Sequence, residues 1–272
     1  MKKLYFLLGI AIILTLSVAP AIAITGGSPD NYAHPNVGIM GVFIGMEPVG
    51  SCSCTLIAED VVLTAGHCIE YVQSLGEGVA TVMVSFEEDP ITSFDPGDWI
   101  LVDQLILHPL YRWNPTSNPH DVGLLILSEF VTDILPATLP DEGFLNDLRA
   151  DGELGHGRNK AQFTVVGFGS TLTWPPPVIE FIPHPRQYAH SGFRSLLKAW
   201  LNLSQNQATG DSGTCFGDSG GPVFWEDSEG NATLVGICSW GDPNCISPSF
   251  NYRVDISDTL EFIYSYLDGN GF

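Results

Sequence analysis

"GTCFGDSGGPVF", residues 213–224, sets a serine among glycines directly after an aspartate. Glycine is the default residue where a backbone turns tightly or must be approached closely. The string therefore marks Ser219 as a candidate nucleophile or, read blandly, as a tight turn. Gly217, Ser219 and Gly221 also fit the sharp strand-to-helix turn that presents the nucleophile in one hydrolase architecture, where the histidine follows the serine along the chain. All seven histidines here precede Ser219, the last being His190. A serine–histidine pair in this chain must run histidine first.

Two upstream strings supply partners. In "VVLTAGHC" (61–68) a β-branched strand delivers His67 beside Cys68, and in "HDVGLLIL" (120–127) Asp121 opens an apolar strand. At these residues the chain resembles the chymotrypsin-like (trypsin-fold) serine proteases, with their order His, Asp, Ser. The resemblance runs from "ITGG" (24–27) to the last helix. It implies that His67 takes the proton of Ser219, that Asp121 holds the imidazole and stabilises its cation, and that the N–H groups of Gly217 and Ser219 bind the oxyanion. It also implies that Ser239-Trp240-Gly241, in "CSWGDPNC" (238–245), pairs with an extended substrate, with Ser239 close to Asp121.

By the same resemblance Cys52–Cys68 and Cys215–Cys245 are disulfides. Cys54 and Cys238 have no counterpart and form either a third bridge or a pair of buried thiols. The resemblance also implies a primary specificity pocket with its base six residues before the nucleophile, at Gly213, walls at Gly241 and Ser249 and a rim at Phe216. A buried lysine or arginine needs a partner acid, and Asp211 falls two residues too early to be one. The expected substrate is a polypeptide with Phe, Tyr, Leu or Met before the scissile bond. The competing reading is a catalytically silent relative that only binds.

The first 23 residues read as a secretory signal: Lys2 and Lys3, an apolar run, then Ala21-Ile22-Ala23 as the cleavage site. The mature chain is then secreted, with no membrane association after cleavage, and begins at Ile24. The resemblance implies that the new Ile24 amine pairs with Asp218. The absence of a segment between signal and Ile24, and of other disulfides common in animal members, suggests a bacterial-type member. Ten basic against 31 acidic side chains, a net charge of −21, exclude nucleic acid and anionic membrane as partners. No Cys-x₂-Cys with a matching Cys or His pair is present, so no metal and no cofactor is expected. Glu87-Glu88-Asp89 reads as a solvated loop, and the protein is expected to act as a monomer.

Short apolar runs between Gly, Pro and Asp turns (Val37–Ile44, Asp60–Thr64, Ala80–Phe86, Trp99–Leu107, Val122–Leu127, Phe163–Val166, Pro222–Trp225, Thr233–Ser239) predict an all-β sandwich or barrel. Joined to the resemblance, this becomes two six-stranded antiparallel β-barrels packed together, residues 24–140 and 141–272, with a C-terminal helix. Helical spacing is seen at Ile256–Leu267 and at Arg194–Leu203. Trp174–Pro185, rich in proline, reads as a surface loop, and Asp141–Lys160 as the junction between halves.

Overall fold

The computed structural model describes residues 24–92, 94–113, 117–173, 178–180 and 183–267; the signal segment 1–23 lies outside them. In chain order the strands of the first half are β1 Ser28–Pro29, β2 Val37–Ile44, β3 Glu47–Leu56, β4 Val61–Thr64, β5 Thr81–Ser85, β6 Ile100–Leu107 and β7 Gly123–Leu127. Those of the second are β8 Gln162–Gly167, β9 Thr171–Thr173, β10 Val178–Glu180, β11 Gln187–Leu196, β12 Trp200–Ser204, β13 Pro222–Glu226, β14 Ala232–Gly241 and β15 Ser249–Arg253. Helices α1 (Gly66–Ser74), α2 (Phe144–Ala150) and α3 (Ser257–Leu267) complete the described elements.

Strands β2-β3-β4-β7-β6-β5 close into one antiparallel barrel. A second runs β11-β12-β15-β14-β13-β8 and is closed by the β11–β8 pairing, with β1 added on β11. Closure leaves no unpaired sheet edge within a barrel. The larger apolar core fills the first barrel with Ile39, Val62, Leu124 and Leu125 and continues through Phe168 and Tyr252 to Leu260 and Ile263 of α3. A smaller one fills the second barrel with Phe163, Val165, Leu201 and Val223, and takes in Ile24.

Three expectations need correction. Arg194–Leu203 is no helix: it is the end of β11, a turn closed by Leu197 N–H to the Trp200 carbonyl (2.8 Å), and the start of β12. Both faces of β12 are covered, so its unbroken apolar run mimics helical spacing. The Trp174–Pro185 segment contains β10, paired with β9, although residues 174–177 and 181–182 lie outside the described set. Glu88 is no solvated loop residue: its carboxylate accepts from the Asn31 and Tyr32 N–H groups and from Arg186 Nη2 (2.9 Å). Arg186, fully buried, also reaches Asp30 and the carbonyls of Val37 and Phe86, so one guanidinium ties the N-terminal segment and the first barrel to the entry of β11.

Candidate active site

His67 stands at the start of α1, where extended Ala65 leads the chain out of β4 into the helix. Gly66 is required there, because a Cβ would lie 2.8 Å from the Tyr111 ring and 3.1 Å from Val122 N. Asp121 precedes β7 and is 2% exposed. It accepts from the His67 backbone N–H (2.8 Å) and lies 2.9 Å from His67 Nδ1. The Ser239 hydroxyl donates to Oδ2, the oxygen that also faces His67 Nδ1. Burial pushes the Asp121 carboxyl up, but the His67 charge and the hydrogen bonds from His67 and Ser239 outweigh it and hold the group below its usual range. His120, next in the chain, has φ of 53° and turns away to stack on His108 and to meet Asp258 of α3. It takes no part in the Asp121 pairing.

Ser219 and His67 line one cavity of about 300 Å³ between the barrels. Gly217 has φ of 92°, a conformation open to glycine at little cost, and a Cβ there would lie 2.9 Å from Gly169 Cα. The Phe216 carbonyl accepts from Ser170 N–H (2.6 Å). Because the peptide is planar and trans, the Gly217 N–H then points the opposite way, and it has no hydrogen-bond partner among the described residues.

Asp218 is fully buried and accepts from the N–H groups of Gly169 and Cys215, both at 2.8 Å. Gly167 and Gly169 make room for it, since Cβ atoms there would lie 2.3 and 2.5 Å from carboxyl atoms of Asp218. Among the described residues no cation pairs with it, and burial pushes its carboxyl up to about 7. Ile24, fully buried, sits in the core of the second barrel, and Thr25 bridges to Gly213.

The predicted substrate strand is the end of β14, where Trp240 stacks on Phe250 at 3.8 Å. The cavity beside Ser219 is walled by Thr214, Cys215, Cys238, Trp240 and Gly241, with Phe216, 42% exposed, at its rim. Gly213 and Ser249 are not in its lining. A Cβ at Gly213 would meet Gln205, whose Cβ and Oε1 lie 2.7 and 2.6 Å from its position. That buried Oε1 has no partner among the described residues. Asp211 is paired with Lys160 and is not in the lining of this cavity.

Two apolar surfaces escaped the sequence reading because residues distant in the chain build them. Tyr111, Trp113, Pro119, Trp200 and Trp240 line a recess of about 280 Å³ on the Asp121 side. A cavity of about 600 Å³ lies on the other side of Gly217, with Phe43, Phe94, Trp99 and Phe168 in its walls. The disulfides Cys52–Cys68 and Cys215–Cys245 are both formed. Cys54 and Cys238 are buried free thiols, which removes the third-bridge alternative. Burial, with Asp218 nearby, pushes the Cys238 thiol up to about 12.

The trypsin family profile matches residues 38–263. A CLIP domain-containing serine protease B15 of Anopheles gambiae is 26% identical over 268 residues, covering 89% of this chain and 70% of that protein. Vitamin K-dependent protein C of Mus musculus is 27% identical over 240 residues, 81% of this chain but only 47% of the mouse protein. Both relatives are animal proteins and give the bacterial-type expectation no support. A solved HL collagenase structure superposes with a TM-score of 0.61 at 20% identity, over 93% of this chain and 99% of its own, which shows the common fold.

Proposed function

The chain belongs to the trypsin family, and from that membership we propose that it is a secreted serine endopeptidase acting through His67, Asp121 and Ser219. The observation that carries this reading is the buried Asp121 carboxylate, held between His67 Nδ1 and the Ser239 hydroxyl, while His67 and Ser219 share one cavity. With Nδ1 turned to the carboxylate, Nε2 is left to accept the Ser219 proton as Oγ bonds to the scissile carbonyl carbon. The oxyanion accepts from the Gly217 and Ser219 N–H groups. Collapse breaks the C–N bond, and His67 returns the proton to the departing amine. Water repeats the sequence on the acyl-enzyme, releasing the acid and restoring Ser219.

All three residues are present, which favours an enzyme over a relative that only binds. A fluorophosphonate probe should label Ser219 stoichiometrically and block cleavage of casein. Absence of an adduct on Ser219 would sink the enzymatic reading and leave the binding one.

Thr214, Cys238 and Gly241 give the cavity beside Ser219 uncharged walls, which suits a large apolar side chain before the scissile bond. With the Gly213 side occupied by Gln205, a new acid cannot simply be added. Gly213→Asp alone is expected to leave cleavage after Lys or Arg negligible, because its Cβ meets Gln205 and its carboxylate faces an acceptor. Gly213→Asp combined with Gln205→Ala should raise cleavage after Lys or Arg by about tenfold to a hundredfold over the single variant, the span of one charged hydrogen bond. Matched Lys and Phe peptides measure this, and equal activity of the two variants would show that Gln205 does not limit the pocket.

The Ile24 amine, freed by signal cleavage, is proposed to pair with Asp218 and so to order Gly217. The support is a fully buried carboxylate with no cation beside it among the described residues and a neighbouring barrel core that already receives Ile24.

A further inference from the structure

We propose that Ser53 of β3 is a positioning residue for the oxyanion site, acting through the Gly217 carbonyl; this rests on the serine-protease reading above. Ser53 is completely buried at the seam between the barrels. Its hydroxyl donates to the Gly217 carbonyl at 3.2 Å and accepts from the Phe168 N–H, at the end of β8, at 3.0 Å. Its backbone N–H donates to the Ser219 carbonyl at 2.8 Å. One residue of the first barrel thus grips both carbonyls that flank Asp218.

The grip matters because of where the freedom lies. The Phe216–Gly217 peptide, which carries one oxyanion donor, is held by Ser170 N–H on the Phe216 carbonyl. The peptide between Asp218 and Ser219, which carries the other, is held by Gly221 N–H on the Asp218 carbonyl at 2.9 Å. Between them lies the Gly217–Asp218 peptide, next to a glycine with φ of 92° and no side chain to restrain it. Its N–H end is held from within the same loop, Asp218 N–H donating to the Cys215 carbonyl at 3.2 Å, and its carbonyl end is held by the Ser53 hydroxyl, which ties the plane to the first barrel. The two-sided bond of this hydroxyl also sets its direction: Phe168 N–H occupies a lone pair, so the hydroxyl hydrogen is left for Gly217. Catalysis depends on donors already aimed at the position where charge develops, and a middle plane held at its N–H end alone lets both of them drift.

Losing an oxyanion donor outright costs roughly 10²–10³ in kcat, and loosening the donors without removing either should cost less. Ser53→Ala and Ser53→Gly are each expected to lower kcat by about tenfold with KM within twofold, the mark of an interaction felt in the transition state and not in substrate binding. Affinity for a peptide boronate, whose oxygen takes the oxyanion position, should fall by the same factor, while affinity for the matching product peptide should hold. Active sites are counted with a fluorophosphonate, so that kcat refers to folded enzyme. Ser85→Ala, which removes another fully buried serine hydroxyl but in β5, away from the site, should leave kcat unchanged.

An unlabelled, inactive parent enzyme would overturn the protease reading itself. With the parent labelled and active, three outcomes overturn the role of Ser53. These are an unchanged kcat, an equal loss of boronate and product-peptide affinity, and failure to recover titratable enzyme from either variant, since the hydroxyl would then serve folding.

Discussion

Replacing Ser219 by alanine is expected to abolish peptide hydrolysis and leave the fold in place. The hydroxyl supplies the attacking oxygen, whereas the anchors of this segment are main-chain groups: the Ser219 carbonyl accepts from Ser53 N–H, and Gly220 N–H donates to the Cys238 carbonyl at 2.8 Å. None of these is touched by the substitution. Removal of a triad serine lowers kcat by roughly 10⁴–10⁶ in enzymes of this mechanism. Initial rates on a chromogenic peptide measure the loss, and thermal unfolding measures the fold. A variant with more than about a tenth of parental activity would refute the assignment of Ser219 as nucleophile.

The second large effect concerns the chain start. A form that keeps Ala23 ahead of Ile24 is expected to fold but to lose roughly 10²–10³ of its activity, since leaving a buried charge without its partner costs about 3–5 kcal/mol. The pH dependence has a definite sign. While Ile24 sits in a peptide bond, the Asp218 carboxyl is raised to about 7. Its contribution to stability is then complete below the ordinary carboxylate range and is lost as pH rises through about 7. With Ile24 free and paired as proposed, its amine, ordinarily near 8, is expected to be raised by the carboxylate. The pair then stabilises the active form fully below that ordinary value and fades as pH climbs through the raised one. N-terminal mass spectrometry of secreted protein should find Ile24 first, and a fully active extended form would show that the amine is no switch.

What could be seen in the sequence was what neighbours in the chain determine. The strings around His67, Asp121 and Ser219 each carry their own local geometry. The strands β2 and β13 were marked by compact apolar runs bounded by turn residues. β3 was hidden because Gly, Ser, Cys and Pro dilute its alternation, although it lines the seam through Ser53. β12 hid for the opposite reason, being apolar on both faces. Glu88 looked like one acid among many until Arg186, distant in the chain, gave it a partner. Gln205 likewise became important only when folding laid it against Gly213. Single-residue substitutes of this kind leave no periodic trace, since periodicity reports a face and not what stands opposite it.

The buried Arg186 has a consequence for lifetime. An enzyme of this class is surrounded by copies of itself, and any segment that opens locally becomes a target for them. Arg186 is bonded at once to Asp30, to Glu88 and to carbonyls at the ends of two first-barrel strands. Peeling away the N-terminal segment or parting the barrels would break several charged hydrogen bonds of this guanidinium at once. Partial opening therefore breaks all of these bonds together, which couples the N-terminal segment, the first barrel and the entry of β11. If the chain is a protease, this coupling should slow self-digestion at the N-terminal segment, and the segment and first barrel should be lost together in a urea titration.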